Sequence, residues 1–321
     1  MPFLSKLAII AIKTETTQDT AATIVAADFT YAKDLAIDPV AEFLPREYLR
    51  SSLDQLAAVL GQFYVKVSFK LPVRGSGTRG TALAPMGAVF LAAGHSETVV
   101  AVTSVTYAPV SAPASSSFYT MGKSATVEMY LGSTVGAVKH QVKGCVCSSL
   151  KVSHPAGKIA YLDVEMVGLY VAKTNTDMPT QTYVTTVEPV WQSSALSMFA
   201  VSPISPLFEI DWGLEYDIRE DSASPYGIKG FMVTGRNPKG RVTIEEVPIA
   251  TKDYLATMIA NTEGSSSFVN GSAQGNITTI TCPKTQIVGL KYNRGGKRLL
   301  LDLDVQFDQN SGDDWISYVQ T

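Results

Sequence analysis

Apolar and polar residues alternate along most of this 321-residue chain. In FYVKVSFKL, Phe63, Val65, Val67, Phe69 and Leu71 fall on one side, and Tyr64, Lys66, Ser68 and Lys70 on the other. A period of two marks a half-buried antiparallel strand, whereas a parallel strand covered on both faces is apolar throughout. ATVEMYL, LFEIDWGLEYDI, RVTIEEV and TQIVGLKY read the same way. Helical signals are confined to Pro85–Ala93 and Lys252–Ala260. The pattern predicts a mainly β fold with a short helix or two.

The elements recur. AGKIAYLDVEM at 156–166 matches GGKRLLLDLDV at 295–305: Gly-Lys at a turn, then a strand with acidic residues at alternate positions. Each follows another strand, VCSSLKV or TQIVGLKY, so each half carries a hairpin closed by SHPAG or NRGG. Upstream, YVKVSFKLP and RVTIEEVP both lead through a loop to a helix, and DLAID (34–38) has a counterpart in LEYDI (214–218). The order reads as a duplicated β unit, roughly 30–172 and 205–310. The first copy is longer and carries TSVTYAPVSAPASSSFYTMGKSATVEMYL, room for one more hairpin. The expected organisation is a first unit at 1–173, a linker at 174–204 rich in Thr, Ser and Pro, and a second unit at 205–321.

Composition narrows the function. Charged residues make up 17% of the chain and the formal net charge is -3, which gives no overall attraction to nucleic acid or an anionic membrane. No apolar run is long enough to span a bilayer, and MPFLSKLAIIAIK is too short in its apolar part for a signal peptide. The protein is expected to stay on the cytoplasmic side. Three cysteines, Cys145, Cys147 and Cys282, do not make a disulfide framework and read as reduced, apolar thiols.

Several stretches resemble catalytic or cofactor motifs. GSGTRG at 75–80 spells G-x-G-x-x-G between a strand and a helix. Its preceding strand alternates, and the equivalent connection in the second copy, PIATK, has no glycine. The motif therefore reads as a flexible, exposed surface loop rather than a dinucleotide site. MGKS at 121–124 lacks the first P-loop glycine, since position 117 is Ser117, and leads into a strand. Cys145, Cys147, His140 and His154 could supply zinc ligands, but C-x-C is not the usual knuckle, and two buried thiols are the simpler reading. Only His95, His140 and His154 are present, with no G-x-S-x-G and no H-E-x-x-H. The acidic pairs Asp163/Glu165 and Asp302/Asp304 have the spacing of a plain polar strand face, and they recur in both copies. No catalytic, cofactor or metal site is expected.

Three segments carry a family likeness. MGAVFLAAGHSETVVAVTSVTYAPVS (86–111), VKGCVCSSLKVSHPAGKIAYLDVEMVGLYVAKT (142–174) and the C-terminal GKRLLLDLDVQFDQNSGDDWISYV resemble the major tail tube proteins of long-tailed, siphovirus-type bacteriophages. The resemblance implies two tandem tail-tube-like β-sandwich units, each with a short flanking helix. It also implies a structural virion protein, assembled in the host cytoplasm, whose stacked rings form the hollow tail tube. Such a tube surrounds the tape measure protein and meets tail terminator and distal tail proteins. It then conducts DNA without binding it specifically. The duplication suggests homotrimeric, pseudo-hexameric rings, with six chains per ring as the alternative. Another tail component of related fold, or a β-rich nucleotide-binding or hydrolytic enzyme, are the rival readings.

Two sets of residues follow as candidates. Asp163, Glu165, Asp302 and Asp304 oppose the apolar face of their strands and are expected to line the lumen, where negative walls repel phosphate; the alternative is that they lie on the outer wall or pair with a basic neighbour. EFLPREYLRSSL (42–53) and REDSASPYGIKGFMVTGR (219–236) hold matching places in the two copies. Arg46, Tyr48, Arg50, Arg219, Tyr226 and Lys229 on them are expected to contact the next ring.

Overall fold

The computed structural model describes residues 4–52, 54–192, 196–294 and 297–321. Gly295 and Gly296, expected to match the turn at Gly157, lie outside the described residues, as do Leu53 of the first arm and 193–195 of the expected linker. The chain is mainly β, as the alternation predicts. Its strands are β1 (Leu4–Thr14), β2 (Phe29–Thr30), β3 (Lys33–Leu44), β4 (Val59–Pro72), β5 (His95–Val100), β6 (Ser104–Pro109), β7 (Ala125–Gly132), β8 (Ala137–Pro155) and β9 (Tyr161–Thr176). They continue as β10 (Leu196–Met198), β11 (Leu207–Asp211), β12 (Leu214–Glu220), β13 (Ile228–Arg236), β14 (Lys239–Glu245), β15 (Gly264–Asn270), β16 (Thr278–Asn293), β17 (Leu300–Asp308) and β18 (Ser317–Gln320). Helix α1 (Ala84–Ala92) follows β4, and α2 (Tyr254–Ile259) follows β14.

Both helices start where the sequence provides a start. Pro85 sits in the first turn of α1, where its missing N–H costs nothing. The helix is apolar on nearly every side and almost wholly buried, packed on β1, β5, β7 and β8. At α2 the Asp253 carboxylate caps the first turn by accepting from the Ala256 N–H at 2.8 Å.

Eight strands form one continuous antiparallel run in the order β3-β4-β9-β8-β11-β14-β17-β16. Its first four members come from the first expected copy and its last four from the second. The ladders repeat. Ser68, Glu165 and Ser149 stand in one row across β4, β9 and β8, as Arg241, Asp304 and Gly289 do across β14, β17 and β16. One extra residue interrupts each equivalent ladder at the same row, Ser148 in β8 and Val288 in β16. This register sets β3 against β11, so the ladder counterpart of DLAID is LFEID at 207–211, not LEYDI. LEYDI lies in β12, which leaves the run to form a separate hairpin with β13. Period-two matching could not choose between two acidic strands that lie one after the other.

At their N-terminal ends the long strands take further partners, β8 while still paired with β9. β8 pairs there with β7, which pairs with β1, and β16 pairs with β15 and β18. The stretch expected to hold an extra hairpin, 103–131, holds β6 and β7, which do not pair with each other: β6 pairs with β5 before it and with β18, the last strand of the chain, while β7 pairs with β1 and β8. One core cluster gathers the inner faces: Val67 and Phe69 of β4, Leu162 and Val164 of β9, Val242 and Ile244 of β14, and Leu301 and Leu303 of β17, together with α1, Tyr107 and Tyr318. Leu299, two residues before the buried Leu301 and ahead of the first residue of β17, is exposed. Residues 177–189 carry no regular strand yet are strapped to the body. Arg74 is buried beneath them, paired with Glu188 at 3.1 Å and donating to the Thr186 carbonyl, and Trp191 is also buried.

Candidate functional site

The outer face of the eight-strand run is a grid of charges. On β4 and β9, Lys66 lies 3.7 Å from Glu165, and Lys70 lies 3.6 Å from both Asp163 and Asp34. Across the middle of the sheet, Lys151 of β8 meets Asp211 of β11 at 2.9 Å, and the Ser153 hydroxyl donates to Glu209 at 2.9 Å. On β14 and β17, Arg241 meets Asp302 at 3.0 Å. Strand pleating produces this grid, since every second residue faces outward and neighbouring strands set those residues side by side.

All four acidic candidates sit on this face. Asp304 is exposed, while Asp163 and Glu165 are half-buried and held by lysines. Asp302 is only 8% exposed. Burial pushes its carboxyl pKa up, but hydrogen bonds from Thr243, Arg241 and Asn293 and the Arg241 charge outweigh this and hold it below the usual range. The face is therefore a lattice of opposite charges rather than a bare acidic wall. Sequence reasoning singled out the acids and allowed that they pair with basic neighbours, but did not name Lys66, Lys70, Lys151 and Arg241 as those neighbours. The signal was present: Lys66 and Lys70 take outward positions on an alternating strand.

The six arm candidates fall into two groups. Arg46, Tyr48 and Arg50 lie between β3 and β4 on residues 45–50, which form no strand and are exposed throughout. The Arg46 guanidinium sits 5.9 Å from the Tyr48 ring centre. Arg219, Tyr226 and Lys229 instead gather at a cavity of about 510 Å³ lined also by Asp19, Phe63, Tyr119 and Lys143. Arg219 stacks over Tyr119 at 4.6 Å, and Tyr226 meets Phe63 edge-on at 5.3 Å. Tyr226 holds a φ of 57°, a left-handed conformation uncommon for a tyrosine. Asp19 accepts from the Tyr119 hydroxyl at 2.6 Å, and burial raises its pKa. The β12–β13 hairpin thus lies on the outer face of the first copy, where Ile228, Phe231 and Val233 bury Val146 and Val167.

The motif-like stretches do other work. The GSGTRG loop is not free. Gly75 is buried, its N–H donates to Asn276 Oδ1 at 2.8 Å, and the Gly77 N–H donates to the Gly275 carbonyl at 3.0 Å. A side chain at Gly75 would overlap the Gly275 carbonyl, so the glycines serve a close backbone approach. The expectation of a flexible loop gives way because the chain crosses another backbone here, a contact more than 200 residues away that the local sequence does not reveal. At MGKS, Gly122 closes a turn through its N–H to the Ala112 carbonyl, and Ser124 is buried against Glu15. Cys145, Cys147 and Cys282 are free, buried thiols. His154 is buried against Phe268 at 4.3 Å, and among the described residues no group of three or more His, Cys, Asp or Glu gathers as a metal set. His95 is buried too. The Trp212 indole N–H donates to its Nε2 at 3.1 Å, and its Nδ1 faces the Ala93 carbonyl at 3.2 Å, which fixes a neutral ring.

These surfaces are those of a structural part: a charged sheet face, two strand edges and projecting arms. No helix among the described residues is long and apolar enough to cross a membrane. No curated protein matches the chain. A family model described as phage tail tube protein matches residues 5–307, nearly the whole length. The chain belongs to the phage tail tube proteins, a structural component of the virion tail.

Proposed function

We propose that the chain polymerises as stacked rings into the hollow tube through which phage DNA passes, each ring built from three chains. Each chain supplies two β-sandwich units, 1–173 and 205–321, joined by 174–204, so that the ring has pseudo-sixfold symmetry. The single observation that carries this reading is the eight-strand run, in which two four-strand blocks of equal register are joined edge to edge, with β3 open at one end and β16 open beyond Thr285 at the other. Unpaired strand edges invite pairing, and a closed ring removes them. The charged face is the proposed lumen wall, with Asp163, Glu165, Asp302 and Asp304 in it. Its alternating lysines and carboxylates leave little net attraction for phosphate, so DNA slides without sticking. The arm at 42–53 is the proposed contact with the next ring, where Arg46, Tyr48 and Arg50 stand exposed. Arg219, Tyr226 and Lys229 contribute through the rim of their hairpin.

Tape measure protein within the tube, and terminator and distal proteins at its ends, are the partners this role calls for. Assembly takes place in the host cytoplasm, and the reading needs no cofactor and no enzymatic activity. Negative-stain images of purified protein test it directly. Rings or hollow tubes with three chains per ring, counted by native mass, are expected. Six whole chains per ring would overturn the trimer, and only discrete globular particles would overturn the tube.

A further inference from the structure

One seam of the sheet is already made inside the chain. β11 joins β8 with Leu207 opposite Pro155, Glu209 opposite Ser153 and Asp211 opposite Lys151. The Trp212 N–H donates to the Leu150 carbonyl at 3.0 Å, and the Ala156 N–H to the Pro206 carbonyl at 2.9 Å. In an antiparallel ladder this alternation makes Asp211 and Lys151 a non-hydrogen-bonded pair, the kind with the closer side chains.

β3 and β16 are the open ends of the same run. β3 pairs only with β4. Beyond Thr285, β16 pairs only with β17. Their ladder positions repeat those of β11 and β8. Asp38 stands opposite Lys66 as Asp211 stands opposite Lys239, and Ala36 opposite Ser68 as Glu209 opposite Arg241. Lys291 stands opposite Asp302 as Lys151 stands opposite Asp163, each just past its one-residue bulge. Asp38 and Lys291 are both exposed, and neither has an ion-pair partner among the described residues. Val288 and Tyr292 on the open edge of β16 are 54% and 47% exposed.

We infer that β16 of one chain pairs antiparallel with β3 of a second copy, in the register that sets Lys291 opposite Asp38. Tyr292 then faces Ile37, and Asn293 faces Ala36. The inference rests on the ring reading above and names its seam. Lys291 and Asp38 meet as Lys151 and Asp211 do, and Tyr292 and Ile37 exchange both backbone hydrogen bonds. Pro39 takes the place of Trp212. It has no N–H, accepts one bond, gives none and ends the pairing, a position that suits proline on an edge strand. The charges suit only this register, because a slip of one residue turns Lys291 away from Asp38.

The test joins cysteine cross-linking to imaging of the same particles. With Asp38→Cys and Lys291→Cys in one chain, oxidation should link neighbouring chains into species of two and three on non-reducing gels. Lys291→Cys combined with Ala36→Cys or Val40→Cys should link poorly, because diagonal pairs lie too far apart for a disulfide. The native cysteines are buried and do not compete. Independently, Asp38→Lys or Lys291→Asp alone should lower ring yield by about tenfold, and the two together should restore it. Rings that cross-link only through a shifted pair, or a double reversal that fails to restore them, would overturn the register and leave the ring standing. Wild-type protein that never forms rings would overturn the ring reading, and the seam with it.

Discussion

Two buried histidines make the fold sensitive to acid. Burial pushes the pKa of His95 and of His154 down to about 3, from 6.5 in the unfolded chain. Between those values the unfolded chain binds more protons, so stability falls as pH falls from about 6.5 towards 3. Each ring contributes a slope of at most about 1.4 kcal/mol per pH unit. His154 offers the cleaner test, because neither of its ring nitrogens has a hydrogen-bond partner. His154→Phe should stabilise the fold at pH 7 by about 1 kcal/mol, since an unpaired buried polar group is costly. Denaturant unfolding between pH 5 and 7.5 should also show a shallower slope than wild type, and an unchanged slope would show that His154 takes up its proton in the folded state. Gly75 tests the opposite kind of site. Gly75→Ala drives a methyl into the Gly275 carbonyl and should cost about 2 kcal/mol, seen as a melting temperature lower by about 4 °C. A variant that melts like wild type would mean the two backbones part without penalty.

At the scale of elements, the β12–β13 hairpin is held by its apolar side, not by the main ladder. Phe231 is fully buried against Val146, Val167 and Tyr64. Phe231→Ala removes about 3–5 kcal/mol from that contact. Trypsin should then cut near Arg219 and Lys229 faster than in wild type, while the main melting transition moves less. Cleavage at the wild-type rate would place the hairpin's anchor elsewhere. The arm of the first copy has no such bed. Tyr48 is 66% exposed and the Leu49 side chain is fully open to solvent. Deleting 46–52 should leave soluble subunits unable to form tubes, and tubes of normal length would refute the contact proposed for it.

The elements themselves were legible because each strand writes its own period. FYVKVSFKL gave β4 its inner face, and the acidic rows of β9 and β17 matched by sequence alone. What joins the elements was not legible. Nothing in LFEID marks β8 as its partner, nothing in SVTYAP marks β18, and nothing in GSGTRG marks Gly275. Those pairings depend on register between distant segments, which a local pattern does not encode.

At the scale of the whole molecule, stability and the proposed assembly draw on the same sheet. The eight-strand run has the same four-strand block on both sides of the β8–β11 seam, with Lys151 and Asp211 across it. Ring yield should follow salt, because the seam charges and the grid around them lie partly in solvent and are screened within about 10 Å at 0.1 M salt. Sedimentation across a salt series should show rings weakening as salt rises while the subunit stays folded. Rings indifferent to salt would assign the seam's strength to its backbone bonds.

The internal seam also alters the kinetics of closing a circle. In the proposed ring every second joint is tethered within one polypeptide, so it forms at the high effective concentration of a linked pair, independent of dilution. Only three joints then wait on encounters, and the critical nucleus is a matter of three bodies rather than six. Partial arcs carry fewer open joints, and a closing error at one joint cannot spread through its tethered neighbour. A tail built this way gains speed of nucleation at low subunit levels, early in the production of new particles, when a six-body circle would still be waiting for its last members.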